Sequence, residues 1–576
     1  MKTNLTRRQL LTRIAAVGGA VPLAKAMGIL GVMPLSNSAS AHDVPEEINP
    51  ALGAGKTVAI IGAGLSGLAA AYELSRQGFE CHIFEADKRP KGRTFTVRPD
   101  GSPDSWYQEA TPSEYGGERT KEICTFDEVD GRGTLYFEAG AGRIPAHHRT
   151  VLHYCREFGI PLESYIFATR SNLVRSDGFN NGDPVQLRQF KHNLRGYLAE
   201  MFRTADPIRL NGAVSDEEAQ KLMDELAKQF GELDDDFVYD AEGHSRSRAG
   251  YSIQPGAGNQ KGEQFKPFAF TDLLQAQDIW DHQLYNDMRY YWQTSLLQPV
   301  GGIDQIAETF LRQPANEGRL IGNLVQLEHR VQGINITNDN VTITYQRVNH
   351  LGETVGEPEK TRVFDYCIST IAPSLLHQTT NNFSSDFQYA LQDGKAVTNV
   401  AAGKVAWQSE RFWENDDNYI YGGISWTSDF ITQIWYPSSG FHNQRGILTG
   451  AYVRGNDPAT GEAGVRFGKW TQQHRIDIAL ANGERLHPEL NPERGMNDLS
   501  KAMTISWQNM AFQDGGWFTA PQDEDQNAQY QVLLNGQNGR FFMGGDAMSY
   551  VPGWMEGALT AGQMAANQVA SEVRGA

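Results

Sequence analysis

The stretch KTVAIIGAGLSGLAAAYELSRQGFECHIFEA, residues 56–86, decides the fold. Residues 57–61 are apolar and β-branched, and they predict a short buried strand. A glycine-rich turn follows, and then a run of helix-forming residues that ends at Gly78, since glycine is typical of a helix terminus. Residues 80–84 predict a second strand, which ends at Glu85. The stretch therefore predicts a β–α–β unit with its two strands in one parallel sheet.

The turn between the first strand and the helix has the glycine spacing of a dinucleotide-binding site. Gly62 permits the tight turn, Gly64 lets the backbone approach a pyrophosphate, and Gly67 allows the helix to pack closely on the strand. The N–H groups at the start of the helix, including that of Ser66, face phosphate oxygens. Glu85 stands where a carboxylate accepts hydrogen bonds from ribose hydroxyls. We therefore expect these five residues to bind a dinucleotide.

The composition limits the function classes. The chain has 576 residues, of which 40% are hydrophobic, and this length predicts two or three domains. Its formal net charge is -18, from 51 lysines and arginines against 69 aspartates and glutamates. We expect no nucleic-acid partner, because the chain has no long basic block. The 4 cysteines are widely spaced, so no metal site is expected, and Cys81 is expected to be a buried thiol.

The N-terminus, residues 1–41, has the pattern of an export signal. Residues 6–11, TRRQLL, resemble the twin-arginine motif, and residues 39–41, ASA, fit a small-residue cleavage site. Glycine, proline and lysine interrupt the apolar stretch between them, so we expect no stable membrane span. The sequence thus predicts export by the twin-arginine route, to the periplasm or as a secreted protein. An amphipathic surface helix is the alternative interpretation.

Two distant segments carry a resemblance to one family. Arg89, Gly92 and Arg93 follow the second strand. Residues 544–546, Gly-Gly-Asp, follow an apolar strand near the C-terminus. Both segments resemble the flavin-binding motifs of the flavin monoamine oxidase family, although Lys91 stands where that family usually has glycine. The resemblance implies FAD as the cofactor.

The resemblance also implies roles for individual residues at the cofactor. Arg93 would belong to the segment that wraps the pyrophosphate, Asp546 would contact the phosphate–ribityl chain, and the last helix would direct its dipole at the isoalloxazine ring. Monoamine oxidases carry a covalent flavin link near the position of Trp517, and this chain has no cysteine there, so non-covalent FAD is expected. The further expected cofactor contacts are Gly140, Ala141, Gly142, Arg143, Val325, Gly545, Trp554 and Met555.

The implied fold class is α/β, with a Rossmann-like FAD-binding domain interleaved with a mixed β-sheet substrate domain and an inserted helical region. Residues 334–336 and 341–345 alternate apolar and polar around an Asn-Asp-Asn turn and predict a β-hairpin. The expected boundaries are the export signal at 1–41, the FAD-binding segments at 42–150, 298–375 and 511–576, the helical substrate region at 151–297 and the substrate-binding sheet domain at 376–510.

The segment FEAGAGRIP, residues 137–145, indicates a substrate class. It resembles the Gly-x-Met-Arg-x-Pro segment of L-amino acid oxidases, whose arginine binds the substrate carboxylate. Arg143 matches that arginine, and Gly142 replaces the usual methionine. A guanidinium suits this role because it makes two charge-assisted hydrogen bonds to a carboxylate. The alternative is a structural ion pair with an acid such as Glu138.

The same resemblance assigns the other residues of the substrate site. Tyr436 would give the carboxylate a second hydrogen-bond donor, and Gly553 would offer its carbonyl to the substrate amine. Trp554 and Trp517 would form aromatic walls. Lys404, which the family uses to hold a water near flavin N5, is the expected catalytic residue.

The implied reaction is oxidative deamination of an L-amino acid by hydride transfer from Cα to flavin N5. Its products are a 2-oxo acid, ammonia and, with molecular oxygen, hydrogen peroxide. An amine or polyamine oxidase, an amino acid 2-monooxygenase and a non-enzymatic secreted flavoprotein remain as alternatives. Asp514, Asp281 and Asp287 favour a basic amino acid slightly. We also expect a homo-oligomer, in the form of a dimer.

Overall fold

The computed structural model describes residues 48–99, 106–108, 121–129, 133–204, 216–276, 278, 289–293, 295–349, 351–356, 358–455 and 463–575. The predicted export signal, Asp281 and Asp287 lie outside the described residues. The chain forms two compact units. The larger unit lies within His42–Asp177 and Asp278–Ala576, and the described part of the smaller unit lies within Gly178–Gln277.

The predicted β–α–β unit is confirmed. Strand β1 is Thr57–Ile61, helix α1 is Leu65–Arg76 and strand β2 is Glu80–Phe84. The two strands pair in parallel, with Thr57 opposite Glu80. They belong to a five-stranded parallel sheet with the strand order Val325–Gln326, β2, β1, Tyr366–Ser369 and Phe541–Met543.

The parallel sheet is covered on both faces. Val58 and Ile60 of β1 pack into a cluster with α1 and with helix α2, Met555–Gly575. The intervening Ala59 and Ile61 pack into a second cluster on the opposite face. A strand that is buried on both sides is apolar at every position, which is why residues 57–61 show no alternation. Cys81 lies in the first cluster as a buried free thiol, as predicted.

The predicted β-hairpin is confirmed as well. His329–Ile336 pairs antiparallel with Val341–Arg347, and Ile336 lies opposite Val341. The hairpin belongs to a four-stranded sheet with the order Lys360–Phe364, Val341–Arg347, His329–Ile336 and Thr380–Asn381.

A mixed sheet in the larger unit positions the residues that matter most for function. It contains strand β3, Ala402–Glu410, and strand β4, Arg445–Arg454, which pair antiparallel with Lys404 opposite Tyr452. Val405 and Trp407 of β3 pack into the hydrophobic core on one face, which turns Lys404 to the other face. The strand order in this unit is Leu173–Arg175, Gly423–Thr427, Gln433–Tyr436, β4, β3 and Asn497–Ser506.

Among the described residues, no helix combines the length and the apolar composition needed to cross a membrane.

Shorter elements complete the larger unit. Two-stranded pairs are formed by Leu162–Ile166 with Ser295–Pro299, Thr96–Val97 with Phe137–Glu138, Trp106–Gln108 with Lys121–Ile123, Glu128–Val129 with Gly133–Thr134, and Asn399–Val400 with Trp517–Phe518. The other helices are Arg149–Glu157, Gln305–Leu311, Pro373–His377, Ser385–Ala390, Ala463–Gly468, Gln472–Glu484 and Glu524–Leu534.

The smaller unit has its own apolar core. Ala199, Ala227, Leu233 and Tyr239 are buried together between its helices. Its elements are the strands Val185–Gln186, Tyr251–Ile253 and Glu263–Gln264 and the helices Leu187–Thr204, Asp216–Gly231 and Phe270–Leu274. It comprises much of the region predicted to be helical at 151–297.

Two of the three glycines in the first turn are required by the packing of the chain. Gly62 has a φ of 101°, in the region that favours glycine. A Cβ on Gly67 would lie 2.0 Å from the carbonyl oxygen of Gly62, so no side chain fits there. A Cβ on Gly64 would meet no atom within 4 Å, and Gly64 has a φ of -74°. Gly64 therefore borders open space.

We expect Gly67→Ala to lower the free energy of unfolding by about 1–3 kcal/mol, because the added methyl group displaces the turn. Gly64→Ala is the matched control and should change it by less than about 0.5 kcal/mol when both variants are unfolded without a bound dinucleotide, because the methyl group then enters open space. Denaturant unfolding of both variants measures the difference. Equal destabilisation would contradict this account of the turn.

Candidate active site

A single cavity of about 580 Å³ in the larger unit brings most of the predicted site residues together. This volume is within the range typical of small-molecule and cofactor sites. Its walls come from the first turn, the segment after β2, the segment before Ile144, the strands β3 and β4, and the N-terminus of α2. The predicted site residues that line it are Gly62, Gly64, Ser66, Glu85, Arg93, Gly140, Ala141, Gly142, Arg143, Lys404, Trp517, Gly545, Asp546, Gly553, Trp554 and Met555.

One end of the cavity fits a dinucleotide. Helix α1 has no side-chain cap at its first residues, and Gly64 leaves open space beside those N–H groups. Glu85 directly follows β2, and its carboxylate accepts hydrogen bonds from the backbone N–H groups of Ala63 at 2.8 Å and Asp87 at 2.9 Å. Burial, and then the charge of Asp87, raise the pKa of Glu85 to about 7. This end presents backbone donors and a carboxyl group, as a phosphate and a ribose require.

The two ends of the chain meet at this part of the cavity. The hydroxyl of Ser66 accepts a hydrogen bond from the N–H group of Gly545 at 2.8 Å. Arg93 forms an ion pair with Asp546 and also donates to the carbonyl oxygen of Gly516 at 3.1 Å. The two motifs that the sequence suggested for one cofactor are therefore joined directly.

Lys91 stands where the family usually has glycine, and its backbone adopts a conformation that glycine favours. Its φ is 93°, which is costly for a residue with a Cβ. The backbone N–H group donates to the carbonyl oxygen of Ala63 at 2.8 Å, which holds the loop beside the first turn. The side chain forms ion pairs with Asp304 and Glu308. These buried contacts offset the backbone strain.

The structure does not bring Val325, a predicted cofactor contact, to the cavity. Val325 lies on the edge strand next to β2, opposite Ile83, and it does not line the cavity. Val331 in the first strand of the hairpin does so instead, with His329 and Arg330. The edge strand is only two residues long, and the chain turns before it reaches the cavity.

The opposite end of the cavity is dominated by Arg143 and aromatic rings. The Cζ atom of Arg143 lies 4.3 Å from the ring centre of Trp435 and 4.5 Å from that of Trp292. Its partner is the hydroxyl of Tyr165, and no carboxylate of the described chain pairs with it. Burial lowers the pKa of Arg143, but an arginine stays protonated at any physiological pH. Arg143 thus presents a positive charge to the cavity.

Glu138 does not neutralise Arg143. Its carboxyl group accepts hydrogen bonds from the hydroxyl of Thr96 and the N–H group of Ile303, both at 2.8 Å. Burial, and then the charge of Asp304, raise the pKa of Glu138 to about 8. The structural ion pair that was the alternative for Arg143 is therefore absent among the described residues.

Lys404 lies near both of these residues. Its Nζ donates to the backbone carbonyl oxygens of Glu138 at 2.8 Å and Gly140 at 2.7 Å. Burial, and then the positive charge of Arg143, lower the pKa of Lys404 to about 7. Lys404 is therefore an amine that exchanges a proton near neutral pH, at the wall of the cavity.

Tyr436 does not belong to the cavity, so its predicted role is wrong. Its hydroxyl donates to the hydroxyl of Ser425 at 2.7 Å and contacts His487, inside the hydrophobic core of the mixed sheet. Side chains alternate along a strand, so its neighbour Trp435 faces the cavity instead. The tyrosine that lines the cavity is Tyr452 of β4.

Tyr452 is the residue that sequence reasoning missed. It lies directly opposite Lys404 in the β3–β4 pair, and its ring centre is 5.1 Å from that of Trp435. Burial raises the pKa of Tyr452, so its hydroxyl stays protonated and can donate a hydrogen bond. The signal that could have found it is the antiparallel pairing of two strands around Lys404.

Both tryptophans that were predicted to form aromatic walls lie at the cavity. The ring centres of Trp554 and Trp292 are 5.1 Å apart. Trp554 lines the cavity together with Trp517. Gly553 stands between the two tryptophans with a φ of 76°, and a Cβ there would lie 3.0 Å from Cγ of Trp517. Gly142 is less constrained, because a Cβ on it would meet Glu138 at 3.5 Å, an ordinary contact distance.

The predicted preference for a basic substrate finds no support at Asp514. This residue accepts a hydrogen bond from the hydroxyl of Ser374 and does not line the cavity. The other two acids considered, Asp281 and Asp287, lie outside the described residues.

Comparison with known proteins identifies the family. The model of the flavin containing amine oxidoreductases matches residues 65–570. The chain belongs to this family. FAD is therefore its cofactor, and the cavity end built from Gly64, Glu85, Arg93 and Asp546 fits it. All four cysteines are buried, and none of them lines the cavity, so no thiol stands there to link the flavin covalently.

Relatives within the family act on amino acids and amines. The chain is 23% identical over 535 residues to the flavin-dependent L-tryptophan oxidase RebO of Lentzea aerocolonigenes, covering 88% of this chain and 96% of the relative. It is 25% identical over 532 residues to an L-amino-acid oxidase of Vipera ammodytes ammodytes, covering 89% and 92%. The fold matches cyclohexylamine oxidase from Brevibacterium oxydans IH-35A with a TM-score of 0.53 at 15% identity, covering 90% of this chain and 99% of that one.

The lowered pKa of Lys404 predicts a pH-dependent contribution to stability. The folded protein binds fewer protons than the unfolded chain between pH 7 and the ordinary lysine value of 10.5, so this contribution rises with pH across that window. We expect Lys404→Met to remove it. Thermal unfolding of the wild-type protein and of the variant at several pH values measures the difference. A stability difference that does not change with pH would contradict the assigned pKa.

Proposed function

We propose that the protein is an FAD-dependent L-amino acid oxidase. It converts an L-amino acid to a 2-oxo acid and ammonia and reduces molecular oxygen to hydrogen peroxide. The observation that carries the proposal is Arg143, a guanidinium at the cavity wall with no carboxylate partner in the described part of the chain. Such a charge is costly unless an anion binds to it, and the α-carboxylate of an amino acid supplies that anion.

The residues of the chain bind and orient the substrate. Arg143 holds the α-carboxylate, and the hydroxyl of Tyr452 donates a further hydrogen bond to it. The carbonyl of Gly553 accepts a hydrogen bond from the substrate amine. Trp517 and Trp554 exclude water from the reacting carbon and fix the plane of the substrate between them.

Lys404 supports the proton transfers of the reaction. Its position beside Arg143 and its pKa of about 7 allow it to hold a water molecule in either protonation state. FAD, held by Gly64, Glu85, Arg93 and Asp546, would supply the acceptor for the two electrons that leave the substrate as a hydride, with molecular oxygen as the final acceptor. The resulting imino acid then reacts with water to give the 2-oxo acid and ammonia.

The site argues against an oxidase that is restricted to amines. In such an enzyme Arg143 would stand beside a substrate that carries no anion and that is itself cationic before it loses a proton. The two charges would repel each other in a cavity that water screens poorly. The amine oxidases of known structure share the fold, which does not decide the substrate.

We also propose that the protein is exported by the twin-arginine route and that it acts in the periplasm or outside the cell. The support is the sequence of residues 1–41, which lie outside the described residues. N-terminal sequencing of protein recovered from outside the cytoplasm tests this, and a product that begins near His42 is the expected result.

The carboxylate site is tested by Arg143→Lys. We expect KM for L-amino acids to rise by at least about 30-fold with FAD content unchanged, because lysine cannot make the paired hydrogen bonds. Steady-state kinetics with peroxide detection, together with the flavin absorbance of the purified variant, measures both quantities. Loss of FAD together with activity would show instead that Arg143 has a structural role.

Two phenylalanine variants serve as a matched pair in the same assay. Tyr452→Phe should raise KM by about 10-fold, because it removes one hydrogen bond to a charged group. Tyr436→Phe should leave KM unchanged and lower the melting temperature, because its hydroxyl bonds inside the core. The opposite pattern would restore the sequence-based assignment.

The amount of peroxide distinguishes the oxidase from an amino acid 2-monooxygenase. One equivalent of peroxide and one of 2-oxo acid per amino acid consumed is the expected result. Release of carbon dioxide and an amide in place of peroxide would assign the monooxygenase reaction.

A further inference from the structure

A second arginine, Arg454, lines the same cavity and has no assigned role. It is the last residue of β4, two positions after Tyr452, and therefore lies on the same face of the strand. Its Cζ atom lies 5.8 Å from the ring centre of Tyr452. Within the described ranges, Arg454 makes no ion pair with any carboxylate. The side chain is half-buried.

The strand register places Arg454 beyond the carboxylate site. Tyr452 lies opposite Lys404, whereas Arg454 lies opposite Ala402, and all four residues line the cavity. Two residues along a strand span about 7 Å. The charge of Arg454 is close enough to lower the pKa of Arg143. One cavity therefore holds two neighbouring guanidinium groups, each without an acidic partner in the described chain.

The rest of the cavity wall determines the sign of charge that fits between them. Among the described lining residues, the carboxylates are Glu85 and Asp546, and both lie at the FAD end. A cationic substrate side chain would meet no counter-charge among the lining residues that the structure describes beyond the FAD end, and Arg454 and Arg143 would repel it. A neutral side chain would leave Arg454 partly desolvated and unpaired, which is unfavourable. An anionic side chain removes both penalties.

We propose that Arg454 binds the side-chain carboxylate of a dicarboxylic L-amino acid, so that L-glutamate or L-aspartate is the preferred substrate. The inference rests on the proposed function, since it assigns Arg143 to the α-carboxylate. Arg143 and Arg454 then bind the two ends of one substrate. The Cα–H bond lies between them, beside Lys404. This reverses the slight preference for a basic substrate that the sequence suggested.

The test compares each acidic amino acid with its near-isosteric amide. Steady-state kcat/KM is measured for L-glutamate and L-glutamine, and for L-aspartate and L-asparagine, in the wild-type holoenzyme. At least one acid should exceed its amide by about 30-fold or more, because a desolvated charge pair contributes that much. The pair that responds identifies the length of the substrate side chain.

Arg454→Met then removes the charge and keeps most of the length of the side chain. The ratio of kcat/KM for the acid over its amide should fall by at least about 30-fold, with FAD content unchanged. Arg454→Lys should recover part of the ratio, because it restores the charge without the planar fork.

Arg445→Met is the matched control. Arg445 is in the same strand, pairs with Asp127 and does not line the cavity. Arg445→Met removes the same charge from the protein and should leave the ratio of kcat/KM for the acid over its amide unchanged. An equal fall in both variants would attribute the effect to net charge and overturn the proposal.

The remaining outcomes separate the two proposals. If the enzyme oxidises no L-amino acid, the proposed function fails. If it oxidises L-amino acids but turns over each acid no better than its amide, the function stands and the role of Arg454 is refuted. A loss of FAD in Arg454→Met would likewise refute it.

Discussion

The cavity is organised around the half-buried guanidinium of Arg143, which has lost part of its hydration. Desolvating a charge costs several kcal/mol, and an ion pair recovers that cost only when it is well hydrogen-bonded. Trp435 and Trp292 contribute cation–π contacts of about 0.5–2 kcal/mol each, which offsets part of it. No acid of the described chain supplies the remainder, and the nearest candidate, Glu138, is bonded elsewhere. An anionic ligand would offset the rest of this cost.

Rigid elements hold the other charged and polar groups of the cavity in place around Arg143. Lys404 is fixed by two backbone carbonyls of the segment that carries Arg143. Tyr452 and Arg454 extend from the adjacent strand, at positions set by the β3–β4 register. At the FAD end, contacts between Ser66 and Gly545 and between Arg93 and Asp546 join the two ends of the chain. Each group is therefore positioned before a ligand binds.

The parts of this structure that depend on contiguous sequence were predictable. The first turn, the helix after it and both strands follow from residues 56–86, because spacing and composition are local properties. Arg143, Lys404 and the two tryptophans were found through a family resemblance and agree with the cavity walls. The free thiol at Cys81 followed from its apolar surroundings.

The errors arose where pairing or backbone geometry decides the outcome. Tyr436 and Tyr452 both lie in apolar strands, and only the register and the facing of each strand distinguish the core from the cavity. Val325 was displaced by Val331 for a related reason, since the length of the edge strand is set by tertiary packing. Arg454 carried no signal in the sequence, because its lack of an acidic partner is visible only in three dimensions.

The central claim is that the cavity recognises an α-carboxylate through Arg143. The most direct measurement is anaerobic reduction of the bound FAD, followed by its visible absorbance, with an L-amino acid and with the amine formed by its decarboxylation. The account predicts that the amino acid reduces the flavin rapidly and that the amine does so far more slowly. Rapid reduction by the amine alone would contradict it.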